Sequence, residues 1–344
     1  STPVELVHVR RLGKRACRAA VAEMQGWRLG HEDAHATWAN GSSASLWVLD
    51  GHGGDGAANF CAPRLAQLFQ AALEGGQQEL PTDDDIRRSF EAVDKELQAY
   101  SAENPSKNSG TTAIGVLVSR QADGSYNLKL VNCGDSHAIV VRGPAENATS
   151  LGETRVRMPQ RLGSSDSGTP EGSWPIVCAS AAHRPDHPAE KARIEAAGGV
   201  VPNEDPPRID GELSVSRCLG DFEYKCDESR GPLEQKLSCE PDIYEVSGLR
   251  EGALCVLGCA GLWGAMPDAS VAGLVRDWLE REPHMDLGDL AAKLARTSLK
   301  LGNKGNVTVM IVHLVNGANW SPLPDEMQNF GKLKQQQQQQ QPQP

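Results

Sequence analysis

One stretch concentrates residues that could do chemistry: Leu46-Trp47-Val48-Leu49-Asp50-Gly51-His52-Gly53-Gly54. Its four apolar residues predict a buried strand, and the glycines after them a sharp turn. Asp50 then sits at the strand's end, where a carboxylate can face a cleft. Gly51 has no side chain, so its carbonyl can approach whatever Asp50 binds. Two oxygens so placed suit a hard divalent cation such as Mg²⁺, which keeps several of its waters. The pattern equally suits a tight turn in which Asp50 only caps the next helix. Upstream, Arg28 is followed by the carboxylate pair Glu32-Asp33. A guanidinium fork grips phosphate through two parallel hydrogen bonds, and adjacent carboxylates can hold waters around a metal. The same trio also suits a surface ion pair.

The elements around these residues are read from periodicity. Apolar positions at helical spacing predict a helix over Asp55 to Leu73 and another over Pro81 to Tyr100. The Asp83-Asp84-Asp85 run fits the first turn of that second helix, where acids complement the helix dipole, and not a metal site. Strands are expected at Ile114 to Val118, Tyr126 to Val131 and His137 to Val141, then at Ala253 to Gly258 and Val307 to Leu314. Short helices are expected at Pro188 to Ala197, Ala269 to Glu282 and Leu287 to Leu301. Strand-rich and helix-rich blocks both recur, which suggests sheets packed between helix layers.

The chain has 344 residues, net charge −11 and nine cysteines. Its length suffices for one large domain or two. The acidic balance argues against a general nucleic-acid partner. No apolar run is long enough to span a bilayer, and no signal peptide is expected. No two cysteines form a C-x-x-C pair, so reduced thiols in the cytoplasm or nucleus are expected. The expected organisation is a basic N-terminal segment over 1–20 and a domain over 21–315. An insertion loop falls at about 143–175, and a polar, glutamine-rich tail at 316–344 has no core to join.

Taken together, Met24 to Arg28 with Glu32-Asp33-Ala34-His35, Leu49 to Gly54, Ser109-Gly110-Thr111-Thr112-Ala113, Asn132-Cys133-Gly134-Asp135-Ser136, His183-Arg184-Pro185, Leu213 to Asp221 and Glu240-Pro241-Asp242 resemble the metal-dependent type 2C (PPM) protein phosphatases. The resemblance runs from about Val21 to Leu314. It implies an α+β fold, a four-layer α-β-β-α sandwich of two antiparallel sheets flanked by paired helices. It implies hydrolysis of phosphoserine and phosphothreonine esters, with two Mg²⁺ or Mn²⁺ ions sharing a bridging aspartate and an activated water. By that resemblance Asp50 is the bridging aspartate, Gly51 lends its carbonyl, Glu32 and Asp33 hold waters, Arg28 grips phosphate, and His52 protonates the leaving oxygen.

The departures fall on the metal site. Ala260 and Gly305 stand where the family has direct metal-binding aspartates, and Ala182 where it has an aspartate linked to a third, looser ion. Only one of three direct carboxylates, Asp50, is kept. Even a supporting residue's loss costs about 10–100-fold in metal affinity or activity, and two direct ligands should cost more. The expectation is one Mg²⁺ or Mn²⁺ ion at most, or none, in a monomeric pseudophosphatase that binds a phosphorylated protein partner. The alternative is an active serine/threonine phosphatase that recruits other carboxylates, for example Asp221, Asp242 or Asp268.

Overall fold

The computed structural model describes residues 2–74, 79–143, 154–159 and 176–329. In chain order these form β1 (Val4–Lys14), β2 (Cys17–Gly26), β3 (Ala34–Ala39), β4 (Ser43–Leu49), β5 (Gly51–His52), α1 (Gly56–Glu74) and α2 (Asp83–Glu103). Next come β6 (Gly110–Thr111), β7 (Ala113–Arg120), β8 (Tyr126–Cys133), β9 (His137–Val141), β10 (Arg155–Arg157), β11 (Ile176–Ala179) and α3 (Pro188–Ala196). The chain continues through β12 (Leu219–Gly220), β13 (Asp242–Leu249), β14 (Leu254–Gly258), α4 (Ala260–Trp263), α5 (Asp268–Arg281), α6 (Leu287–Lys300), β15 (Val307–His313) and β16 (Glu326–Asn329).

Two antiparallel sheets carry the molecule. One has the order β11-β9-β14-β15-β2-β1-β16, the other β10-β13-β8-β7-β4-β3. β4 shows why the layers form. Its side chains alternate between faces, and all seven residues are buried. Leu46 and Val48 enter the core between the sheets, with Val116, Leu128, Tyr244 and Met310. Trp47 and Leu49 point the other way, into a core shared with α1 and α2. There the Trp47 ring stacks on Phe69 at 5.2 Å and lies 5.9 Å from Phe90. The opposite sheet packs Val9, Ala22, Ile139 and Ile311 against α5 and α6. The result is the expected four-layer α-β-β-α sandwich. No helix of the described residues is long and apolar enough to cross a membrane.

The expected helix start at α2 is present: Thr82 caps it by accepting from the Asp85 amide at 3.2 Å, with Asp83, Asp84 and Asp85 in the first turn. Other elements differ. Val4–Lys14, expected as a basic flank, is a strand of the large sheet, and Glu326–Asn329, expected as tail, pairs with it antiparallel. Only Val7 and Val9 of β1 are apolar and fully buried, so charged neighbours masked the strand's alternation. Its Arg11 side chain is itself buried, donating to Asp286 at 2.7 Å and Glu326 at 2.8 Å. Most of the expected insertion loop, and the Gln335 to Gln341 run, lie outside the described residues.

Candidate functional site

The site is built where β4 ends. The Asp50 amide donates to Thr112 Oγ1 at 3.2 Å, and the Thr112 amide donates back to the Asp50 carbonyl at 3.0 Å. This pair fixes the turn, and the Asp50 carboxylate projects across it to accept from the Ala260 amide at 3.0 Å. Gly51 is required by space: a Cβ there would run into the Glu32 carbonyl. The loop after β2 that carries Arg28 and Glu32 is pinned by one residue. Asn306 accepts from the Glu32 amide at 2.9 Å and donates to the carbonyls of Gln25 at 2.9 Å and Gly30 at 3.0 Å.

Arg28, Glu32, Asp50, Gly51 and His52 thus line one cleft of about 440 Å³. Asp33 stands behind them, buried. Its Oδ2 accepts from Thr308 Oγ1 at 2.7 Å, while its Oδ1 is buried with no hydrogen-bond partner among the described residues. Oxygens of Asp33 and Asp50 and the Cys259 sulfur lie within 4.8 Å of one another. Burial, then the neighbouring Asp33 charge, pushes the Asp50 carboxyl up to about 8. Burial also raises Asp33. Asp135, which sequence reasoning did not single out, lines the same cleft and is pushed up to about 7 by burial and by the Asp50 charge. Crowded, desolvated carboxylates and one orphaned oxygen are a donor set that a divalent cation would relieve. The residues fit such an ion.

The wall facing Asp50 is made of Ala260, Gly261, Asn303, Gly305 and Asn306, without a carboxylate. The substitute acids suggested by sequence are employed elsewhere. Asp242 lies 3.0 Å from His183 Nε2 and 3.2 Å from Arg217. Asp268 accepts from His137 at 2.9 Å. Asp221 meets His52 Nε2 at 2.5 Å. Ala182 is not among the residues lining the cleft; it precedes His183, whose ring accepts from the Gly134 amide at 3.0 Å. Sequence reasoning also missed Arg208 and Glu212, which close the cleft's far side; they lie in a turn-rich segment whose only signal was charge.

His52 is bonded to Asp221. Burial alone would lower its pKa, but the bond to Asp221 and the charges of Asp221, Asp50 and Asp135 raise it. The exposed Arg28 puts positive charge on a cleft whose floor can take a cation. That combination accepts a phosphate dianion.

A family profile described as Protein phosphatase 2C matches residues 18–307. Protein phosphatase 1B of Mus musculus is 33% identical over 317 residues, covering 87% of this chain and 70% of that protein. Protein phosphatase 1A of Homo sapiens is 30% identical over 318 residues, covering 89% and 72%. Among solved structures, a phosphatase from a pathogenic strain of Toxoplasma gondii superposes with a TM-score of 0.71 at 24% identity, over 94% of this chain and 99% of that one. A sex determining protein from C. elegans gives 0.66 at 21% identity, over 87% and 65%. At such identities the two structures share the fold.

Proposed function

We propose, from the premise that this chain belongs to the protein phosphatase 2C family, that it is a catalytically weak or silent member acting as a phosphoprotein-binding module. The observation that carries this reading is the partner of Asp50. Where a second ion would need carboxylates, Asp50 instead accepts a backbone hydrogen bond from Ala260, and Gly305 completes a wall without charge. The family is metal-dependent, and one Mg²⁺ or Mn²⁺ ion would be held by Asp50 and the Gly51 carbonyl, with Glu32 and Asp33 reached through water. A bound ion there supplies Lewis-acid polarisation of phosphate oxygens and a more acidic water. The chain's own groups do the rest. Arg28 grips the phosphate, Asn306 holds the Arg28 loop, and His52 keeps a proton under the control of Asp221.

Family membership supports the partner class: a phosphorylated serine or threonine in a protein segment. Unpaired cysteines, eight of the nine buried, support a reducing compartment, cytoplasm or nucleus. The test is p-nitrophenyl phosphate and phosphopeptide hydrolysis at saturating Mn²⁺, beside phosphopeptide binding by calorimetry. Binding with turnover at least about 100-fold below a family member with a full carboxylate set is expected. Turnover within tenfold of such a member overturns the reading. It would favour the second one, an active Mg²⁺- or Mn²⁺-dependent serine/threonine phosphatase, which rests on Arg28, Glu32, Asp50 and His52 sharing the cleft with the additional carboxylate of Asp135.

A further inference from the structure

We propose that His52, Cys218 and Asp221 form a second cation site, one for a soft, thiol-seeking divalent ion such as Zn²⁺, beside the oxygen-lined floor around Asp50. The donor atoms of all three converge on one point. Asp221 Oδ2 meets His52 Nε2 at 2.5 Å and Cys218 Sγ at 3.3 Å, and the three donor atoms lie within 4.8 Å of one another. In the metal-free protein a single carboxylate oxygen accepts two hydrogens, one from a ring nitrogen and one from a thiol. A cation that replaces both hydrogens satisfies all three groups at once. Nitrogen, sulfur and carboxylate donors in a set of three, with a further position open, are what zinc takes and what Mg²⁺ does not.

The backbone leaves room for it. A Cβ at Gly110 would collide with Asp221 Oδ2 and His52 Nε2 together, so glycine keeps this point free of side chain. Cys218 and Asp221 are buried, at 0% and 8% exposure, while the His52 side chain is 32% exposed and opens onto the cleft. An ion can therefore enter from the cleft and keep a water on that side. The neighbouring Asp50 group also contains a thiol, Cys259, but that sulfur already accepts from the Thr308 amide at 3.1 Å and faces the Asn306 carbonyl at 3.5 Å. Cys218 Sγ instead donates to a carboxylate oxygen that a histidine nitrogen also meets. On binding, the Cys218 S–H and the His52 Nε2–H bonds break, both protons leave to solvent, and both atoms bond the metal through lone pairs. His52 then has no Nε2 proton to hold. The site is a competing claim on that residue, and it stands on these three residues whether or not the proposed silence of the Asp50 site is right.

The test uses the full reduced chain saturated with Mg²⁺ and titrated with Co²⁺, then Zn²⁺. One equivalent of Co²⁺ should raise a near-ultraviolet thiolate-to-cobalt band that Zn²⁺ bleaches. Absorption-edge spectroscopy of the zinc form should show one sulfur at about 2.3 Å. Cys218→Ala should abolish the band and weaken Zn²⁺ by at least about tenfold. Cys259→Ala, Asp50→Asn and Cys226→Ser, the last at the exposed thiol, should keep it. A wild-type chain without the band overturns the proposal, as does a band that survives Cys218→Ala. Should Cys218→Ala fail to fold, His52→Gln at the cleft's rim decides: unchanged Zn²⁺ affinity overturns the site, and a loss of tenfold or more upholds it. Because the readout is binding, it is independent of whether any hydrolysis is found.

Discussion

A single carboxylate separates two kinds of cleft. Asp50 with a cation beside it is a metal site; Asp50 without one, accepting from the Ala260 amide and crowded by Asp33, is a buried acid pushed up to about 8. Restoring the missing charge is sterically open. A Cβ at Gly305 meets nothing nearer than Asn303 Oδ1 at 3.5 Å, and Ala260 begins α4, where an acid suits the helix dipole. Ala260→Asp with Gly305→Asp should therefore raise Mn²⁺ affinity by at least about 10–100-fold. Calorimetric titration measures it, and p-nitrophenyl phosphate turnover should rise in parallel. Asn306 acts on the cleft through other residues. Asn306→Ala leaves the Glu32 amide and two carbonyls without their partner, at a cost of about 1–3 kcal/mol. It should lower the melting temperature and weaken inorganic phosphate binding, as the Arg28 loop loosens.

At the scale of elements, β4 is the positioning device. It is buried on both faces, so its end cannot shift without disturbing two cores. Trp47 is fully buried against Phe69 and Phe90, and its Nε1 donates to Ser45 Oγ at 2.7 Å. Trp47→Ala should cost about 3–5 kcal/mol of stability by denaturant titration. It should also weaken metal binding, because Asp50 lies three residues on. Thr82→Ala at the head of α2 removes a cap far from the cleft. It should cost about 0.5–2 kcal/mol and leave metal affinity unchanged. The contrast separates elements that hold the site from elements that merely hold the fold.

At the scale of the whole molecule, a buried charge network beyond the cleft ties α3 to β13 and makes one pH-dependent contribution to stability. Arg217 is 1% exposed, donates to Glu190 at 2.6 Å and to Asp242 at 3.2 Å, and His183 is packed beside them. Burial opposes the Glu190 charge, but Arg217 and Arg193 hold its carboxyl well below the usual range. Burial and the Arg217 charge lower His183. Unfolded, the two groups titrate near about 4.3 and 6.5. The depressed carboxylate contributes stability that is present above its unfolded value and lost as pH falls through its folded one. The depressed histidine takes its proton more readily in the unfolded chain, so it too favours unfolding as pH falls below about 6.5. Both slopes have one sign. The network's own contribution to the melting temperature should fall on acidification from about pH 6.5 and more steeply below about 4.3, while the raised carboxyls of Asp50 and Asp135 act with the opposite sign. Glu190→Gln should flatten the lower part. At neutral pH it should destabilise by about 3 kcal/mol, because Arg217 stays buried without its nearest carboxylate. Scanning calorimetry across pH reads both effects.

The sequence by itself determined the elements whose apolar pattern is unambiguous and the ligand types at the end of β4. Helical spacing marked α1, α2, α5 and α6, and the run before Asp50 marked a strand buried on both sides. Local chemistry was enough there, because propensity, capping and periodicity agree within one segment. It could name Ala260 and Gly305 as lost carboxylates only by resemblance. What tertiary structure decided is everything that depends on partners distant in the chain. β16 is a strand because it pairs with β1 across more than 300 residues, and β1 because it lies between β16 and β2, not because their own patterns say so. Asp135, Arg208 and Asn306 join the cleft only when β8, the segment before β12 and β15 converge on one edge. The same convergence assigns Asp221 to His52 and Cys218, and Asp242 to Arg217. A carboxylate's role is set by which charge it meets after folding, and spacing along the chain carries no record of that meeting.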